Sequence, residues 1–287
     1  MARLQAALRC PAFRHPRRDP VLLVHGTGLD AEQSWGWNYE RVLPSFGFDT
    51  CTVTLPDHAM NDIQISSEYV VWAVRTISAR SHRKVSVIGH SQGGLEPRWA
   101  LRWWPDTRTE VGHYIGLASP NHGIDAADAC TGSGNCWPAV WQFAHGAQFL
   151  RALNRGGESP GRTLYTAIYS ATDELVQPAF GPPTAALAPA PNASSIEIQA
   201  ICPGRPVNHI SLMDDGVVFE IVRRALLSAH PVRAGQIPVT ACATTTMPGL
   251  TPADAATGNA TTYAAAVQGF GSQPGVHREP PLATYAR

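Results

Sequence analysis

Val85-Ser86-Val87-Ile88-Gly89-His90-Ser91-Gln92-Gly93-Gly94-Leu95 is the stretch from which the fold of this chain can be read. A β-branched apolar run ends in a glycine, and a helix-compatible segment, Leu95 to Trp103, follows directly. The residues Gly89 to Gly93 fit G-x-S-x-G. In that pattern, small residues two before and two after the serine let the chain turn sharply from strand to helix and leave Oγ exposed. Ser91 is therefore a candidate nucleophile. A glycine-rich turn buried for packing alone is the competing reading, and the flanking strand and helix weigh against it.

Upstream, the wholly apolar Val21-Leu22-Leu23-Val24 empties into His25-Gly26-Thr27-Gly28, the pattern of a buried parallel strand. A helical stretch from Trp35 to Phe46 follows, then a strand at Cys51 to Thr54 stopped by Pro56. Glu68 to Ser78 carries Val70, Val71, Val74 and Ile77 at helical spacing. Downstream, Val111 to Ala118, Leu164 to Tyr169 and Ile196 to Ile201 read as strands, and Val217 to Leu227 as a helix with one apolar face. Strands alternating with helices predict an α/β fold, with a mostly parallel central sheet, helices on both faces and a ligand crevice beyond the carboxyl ends of the strands. No internal repeat or long linker divides residues 1–287, which are expected to form one domain.

Two segments break the rhythm. Residues 119–137, rich in Gly, Ala, Asn and Ser, read as a long loop over the crevice, within a loop or lid region of about 119–150. Residues 228–287, rich in Pro, Ala and Thr, read as an irregular packed extension without a functional role, with an Ala-rich helix near Tyr263 to Val267.

The 22 basic and 22 acidic side chains cancel, and no basic stripe with interleaved aromatics exists, so a nucleic-acid partner is not expected. No apolar run approaches the roughly 18 to 20 residues of a transmembrane helix. Met1 to Arg9 lacks the apolar core of a secretion signal. Six cysteines, Cys10, Cys51, Cys130, Cys136, Cys202 and Cys242, form no CxxC pair and join no histidine at zinc spacing. Disulfides and an extracellular location follow, against the alternative of reduced, buried thiols, and the pairing stays open on spacing alone.

A serine hydroxyl needs a neutral imidazole to take its proton, and that imidazole needs a carboxylate to fix its tautomer. In hydrolases with this strand-turn-helix serine, the acid and then the histidine follow in the chain. The strand ending at Tyr169 runs into Ser170-Ala171-Thr172-Asp173-Glu174, which makes Asp173 the candidate acid and Glu174 its rival. His209 lies between the last strand and the helix near Val217, where the base is needed, whereas His230 and His277 read as surface residues. An oxyanion needs two donors: the N–H of Gln92, after the nucleophile, and a second from the first strand-helix loop, where Thr27 offers an N–H and a hydroxyl. The same loop, Gly26 to Ala31, also fits a G-x-G-x-x-A dinucleotide fingerprint. Trp35 to Asn38 delays the helix, however, and Asp57 comes too late for the acid of such a site.

With these residues in place the chain resembles the lipase B family, known from fungi and bacteria. The resemblance runs from about Cys10 to Cys242. It is carried by Asp19 to Gly28, Ser91 to Leu95, and above all Tyr169-Ser-Ala-Thr-Asp-Glu-Leu-Val-Gln-Pro178. It implies an α/β-hydrolase fold and a triacylglycerol or carboxylic ester hydrolase, with Ser91, Asp173 and His209 as triad and Thr27 and Gln92 as oxyanion hole. It implies no cofactor and no metal, and an ester or lipid substrate met in water or at a lipid–water interface; the sequence leaves the oligomeric state open, with a monomer expected. The family's disulfides fall on Cys10 with Cys51 and Cys202 with Cys242, leaving Cys130 with Cys136. His90 stands where the fungal family members have Trp, Asn121 where they have a pocket Asp, and Phe143 where they have a pocket Gln. Leu175 and Val176 match apolar pocket positions, and His90 is expected as a pocket wall. Trp137, Val140, Trp141, Phe143 and Phe149 read equally as an entrance rim or as core. An acyltransferase on the same scaffold and a catalytically silent binding protein are the alternatives.

Overall fold

The strands β1 (Leu8–Arg9), β2 (Val21–Val24), β3 (Thr50–Val53), β4 (Val85–His90), β5 (Val111–Leu117), β6 (Leu164–Tyr169) and β7 (Ala193–Glu197) form one sheet in a computed structural model that describes residues 1–287. Their spatial order is β1-β3-β2-β4-β5-β6-β7, and every pair is parallel except β1 with β3. Helices cover both faces, so residues of either parity are buried. Val21 and Leu23 enter the larger core on one face, and Leu22 and Val24 the smaller core on the other. That is why β2 reads as unbroken apolar rather than alternating. The chain moves outward from β2 to β3 and then crosses to β4 on the other side of β2, so the loops leaving β2 and β4 diverge and open a crevice.

The helices α1 (Ile63–Ser81), α2 (Leu95–Trp103), α3 (Asp125–Gly132), α4 (Pro138–Gln142), α5 (Gln148–Asn154), α6 (Gly216–Leu227) and α7 (Pro252–Phe270) account for most of the covering layers. α1 starts five residues before the expected Glu68, because the Asp62 side chain accepts from Gln64 N–H and caps it. The expected helix from Trp35 to Phe46 is instead three short pieces, Ala31–Trp35, Tyr39–Val42 and the 3₁₀ turn Leu43–Phe46. Asn38 caps the second, and Pro44 tightens the third. The last strand is Ala193–Glu197 rather than Ile196 to Ile201, whose apolar residues continue into a 3₁₀ turn.

Both irregular segments are more ordered than their composition suggests. Residues 119–137 contain α3. The extension 228–287 holds the 19-residue α7, begun by a Thr251–Asp254 capping box with Pro252 in its first turn. Its small residues serve close approach. A Cβ on Gly258 would lie 2.2 Å from the Trp37 ring, and one on Gly269 1.9 Å from Gly28 O. Trp37 Nε1 donates to Thr262 Oγ1 at 3.1 Å, and that hydroxyl donates to Gln33 O at 3.1 Å. Beyond α7 the chain returns across α4, where Trp137 and Trp141 donate to Gln273 O and Val276 O.

Disulfides join Cys10 to Cys51, Cys130 to Cys136 and Cys202 to Cys242, leaving no free thiol. In the chain-entropy model the two bridges with sequence separations of 41 and 40 each contribute about 4 kcal/mol, and the short one about 2 kcal/mol.

Asp214, ahead of α6, is buried beside Asp215 and bound only by Asn259 Nδ2 among side chains, and burial pushes its carboxyl up to about 7. The unfolded chain ionises it near ~3.9. Between those values the native state holds the extra proton, so this group's contribution to stability falls as pH rises through the window. Denaturant titrations at pH 5 and pH 8 should show Asp214→Asn losing less stability than the wild type, by on the order of 1–3 kcal/mol. Equal losses would place the proton elsewhere.

Candidate active site

Ser91 sits at φ 56°, the left-handed region that costs a non-glycine residue roughly 1–2 kcal/mol. The turn is this tight because Gly89 and Gly93 close on each other and on β2. A Cβ on Gly89 would lie 2.1 Å from Gly93 O, and one on Gly93 2.3 Å from Val24 O. Any side chain at either position would push β4 and α2 apart. The turn leaves Ser91 part-exposed, and it lines a cavity of about 260 Å³ together with His209. No hydrogen bond joins the two side chains, and such contacts commonly tighten only when substrate binds.

His209 lies in the loop between β7 and α6, buried and held on three sides. Its Nδ1 lies 2.9 Å from Asp173 Oδ2. Asp173 Oδ1 accepts from Leu175 N–H and Val176 N–H at 2.8 and 2.9 Å. Burial opposes the Asp173 charge, yet His209 and these two amides hold its carboxyl below the ordinary range. A carboxylate only accepts, so Nδ1 carries the proton and Nε2 keeps its lone pair. Glu174, the rival acid, takes another place: its Oε2 accepts the His209 backbone N–H at 2.9 Å, and its Oε1 accepts the Tyr263 hydroxyl from α7. His90 Nε2 lies 2.9 Å from His209 O, and the two rings are 4.6 Å apart. The carbonyl accepts, so His90 carries its proton on Nε2 and leaves Nδ1 bare, buried and without a partner. Burial, with His209 nearby, pushes the His90 imidazole down to about 3. Nothing in the sequence around Glu174 or Tyr263 signals these contacts, which span 35 and 89 residues.

β2 and β4 are paired, Val24 opposite Gly89, so the Thr27 loop and the Ser91 turn leave adjacent strand ends. The Thr27 N–H has no partner within the chain. Gln92 is the second residue of the short turn Ser91–Gly94 that leads into α2, where helix geometry leaves early N–H groups unpaired. The Thr27 hydroxyl donates to Gln92 Oε1 at 2.6 Å. Backbone N–H groups beside a serine hydroxyl and an imidazole are the kind of donors that can stabilise a developing oxyanion.

Fourteen of the twenty residues lining the cavity are hydrophobic, which suits an apolar ligand. His90, Phe143, Leu175 and Val176 line it as expected, as do Trp137 and Val140 of the candidate rim. Asn121 does not: Arg98 and Ala185 O hold it in the core. Nor does Trp141, which is anchored to Val276 O, or Phe149, stacked on Trp99 at 4.4 Å. Tyr263, Ala266 and Phe270 of α7 complete the wall, so the carboxyl-terminal extension is neither irregular nor remote from the site. Asp125, Asp128 and His145 bring ligand atoms within 4.8 Å of one another at the surface. There His145 already pairs with Asp128 at 2.7 Å, and none of the three lines the cavity.

Residues 20–177, just over half of the chain, match the family described as palmitoyl protein thioesterase. The chain is 30% identical to lipase B of Pseudozyma antarctica over 99% of its own length and 84% of that protein. The crystal structure of Aspergillus fumigatus lipase B matches with a TM-score of 0.90 and 29% identity, covering 99% of this chain and 71% of that one. The mature form of Bacillus licheniformis lipase BlEst2 shares the fold, at a TM-score of 0.59 and 18% identity over 76% of this chain and 96% of that one.

His25, whose Nε2 accepts Leu55 N–H at 2.9 Å, is buried like His90, and burial pushes it down to about 4. Imidazole ¹⁵N spectra recorded from pH 8 to pH 5 should show both rings neutral throughout, with the His90 proton on Nε2. A midpoint above pH 5 for either ring would contradict this packing.

Proposed function

The chain belongs to the lipase B-like family, and on that footing we propose that it cleaves carboxylic esters through an acyl-enzyme on Ser91. It is a serine ester hydrolase of the α/β-hydrolase fold. The observation that supports the residue assignment is the buried Asp173–His209 pair on the same cavity as Ser91: with Nδ1 engaged by the carboxylate, Nε2 is the nitrogen left to take the serine proton.

Ser91 Oγ attacks the ester carbon while its proton passes to His209 Nε2. Asp173 stabilises the imidazolium that forms, and the N–H groups of Gln92 and Thr27 take the oxyanion. His209 then protonates the departing alkoxide, and water, deprotonated by the same imidazole, releases the acid. The acyl chain occupies the apolar cavity, where each buried methylene is worth about 0.8 kcal/mol. An extracellular location is supported by three disulfides and no free cysteine.

The match to palmitoyl protein thioesterase supports one second reading, cleavage of acyl thioesters by the same centre. Initial rates on p-nitrophenyl esters from acetate to palmitate, beside a palmitoyl thioester of equal chain length, separate the two. Ser91→Ala should lower kcat on the order of 10⁶-fold on whichever substrate is preferred, and a fluorophosphonate should label Ser91 in the wild type only. Equal rates in the two proteins would remove Ser91 as nucleophile. Product analysis with added alcohol shows whether the acyl group passes to water or to the alcohol.

A further inference from the structure

A chain of hydrogen bonds runs from the interior to the oxyanion loop. Glu96, in the first turn of α2, is fully buried; its Oε1 accepts Gln92 Nε2–H at 2.8 Å, and its Oε2 has no partner. Gln92 Oε1 accepts the Thr27 hydroxyl at 2.6 Å. In this arrangement the Thr27 hydroxyl proton is committed to Gln92, and only backbone N–H groups remain for an oxyanion.

An orphaned carboxylate oxygen at a fully buried position is costly, and protonation removes most of that cost. A neutral Glu96 becomes a donor. If the Gln92 amide turns over, its oxygen accepts the Glu96 O–H and its Nε2–H donates to Thr27 Oγ1. The Thr27 hydroxyl proton is then free to point at the oxyanion. Amide oxygen and nitrogen are nearly isosteric, so the exchange needs no displacement of neighbouring atoms.

We propose that Glu96 is a positioning residue of the oxyanion hole: neutral, it releases the Thr27 hydroxyl as a third donor, and charged, it withholds that hydroxyl through Gln92. The inference rests on the reading of Ser91 as nucleophile. No cation faces the carboxyl. Arg98 of α2 turns to Asn121 and Asn154; Tyr114 of β5 donates to Gly94 O; His25 at the end of β2 stays neutral; and Glu68, Arg75 and Arg80 of α1 are exposed. Burial pushes the Glu96 carboxyl up to about 8, so both states are reached in the working range of an esterase.

The test is the pH dependence of kcat and KM on p-nitrophenyl butyrate for the wild type, Glu96→Gln and Thr27→Val, with active sites counted by fluorophosphonate labelling. The wild type should lose about tenfold or more in kcat across an alkaline limb, with KM little changed. Glu96→Gln, whose amide donates to Gln92 at every pH, should lack the limb. Thr27→Val should lower kcat on the order of 10²-fold and also lack it. The proposal is overturned by a wild type without the limb, by a limb that persists in Glu96→Gln, or by one that persists in Thr27→Val. The last case decides the matter even where Glu96→Gln does not fold. Absence of labelling in the wild type would instead overturn the acyl-enzyme reading.

Discussion

The close approach of backbone to backbone where β4 turns into α2 is the constraint on which the site rests. Gly89, Gly93 and Val24 O occupy a space that admits no side chain, and the chain can pass through it only with Ser91 at φ 56°. Strain of this size, roughly 1–2 kcal/mol, persists because β4 is hydrogen-bonded on both sides, to β2 and β5, and α2 is buried. The same geometry lifts the hydroxyl into the crevice and sets the Gln92 N–H at the head of a helix. Because β2 is the neighbour of β4, it also brings the Thr27 loop alongside.

A buried histidine that must change charge needs a loop that neither drifts nor leaves polar atoms unpaired. His209 is held accordingly, with its ring on Asp173, its N–H on Glu174 and its carbonyl on His90. Each contact is worth on the order of 1 kcal/mol, but together they leave one ring nitrogen unengaged. Glu174 extends the arrangement to Tyr263 and so couples the base loop to α7. A helix that composition marked as a bland tail thus supports the base and walls the cavity at once.

Sequence legibility followed the range of the contacts. Ser91 is readable because its requirements are local: a strand, two glycines and a helix, all between Val85 and Trp103. Asp173 and His209 were readable from chain order, since a parallel sheet delivers each strand end to the same edge. Asn121 matches a pocket position by resemblance and Trp141 a candidate rim, yet neither lines the cavity. Asn121 is claimed by Arg98, and Trp141 by the returning chain at Val276, and neither partner is near in sequence. Glu174, one residue from the acid, reads in sequence as its rival, because its partner His209 lies 35 residues on.

By itself the sequence determined the alternation of strands and helices, the strained serine turn and the order of the three candidate residues, because each follows from backbone sterics or from the two periodicities of burial. Only the tertiary structure decided what encloses them. α7 has no pronounced apolar stripe; its glycines, alanines and threonines permit contact without announcing a partner, and the partners are Trp37 and Gly28, more than two hundred residues away. Glu96 is the sharper case. Within a helical run a glutamate reads as solvent-facing, and only the packing of α2 against the rest of the fold, with Gln92 one turn before it, makes it a buried acid one hydrogen bond from the residue that binds Thr27.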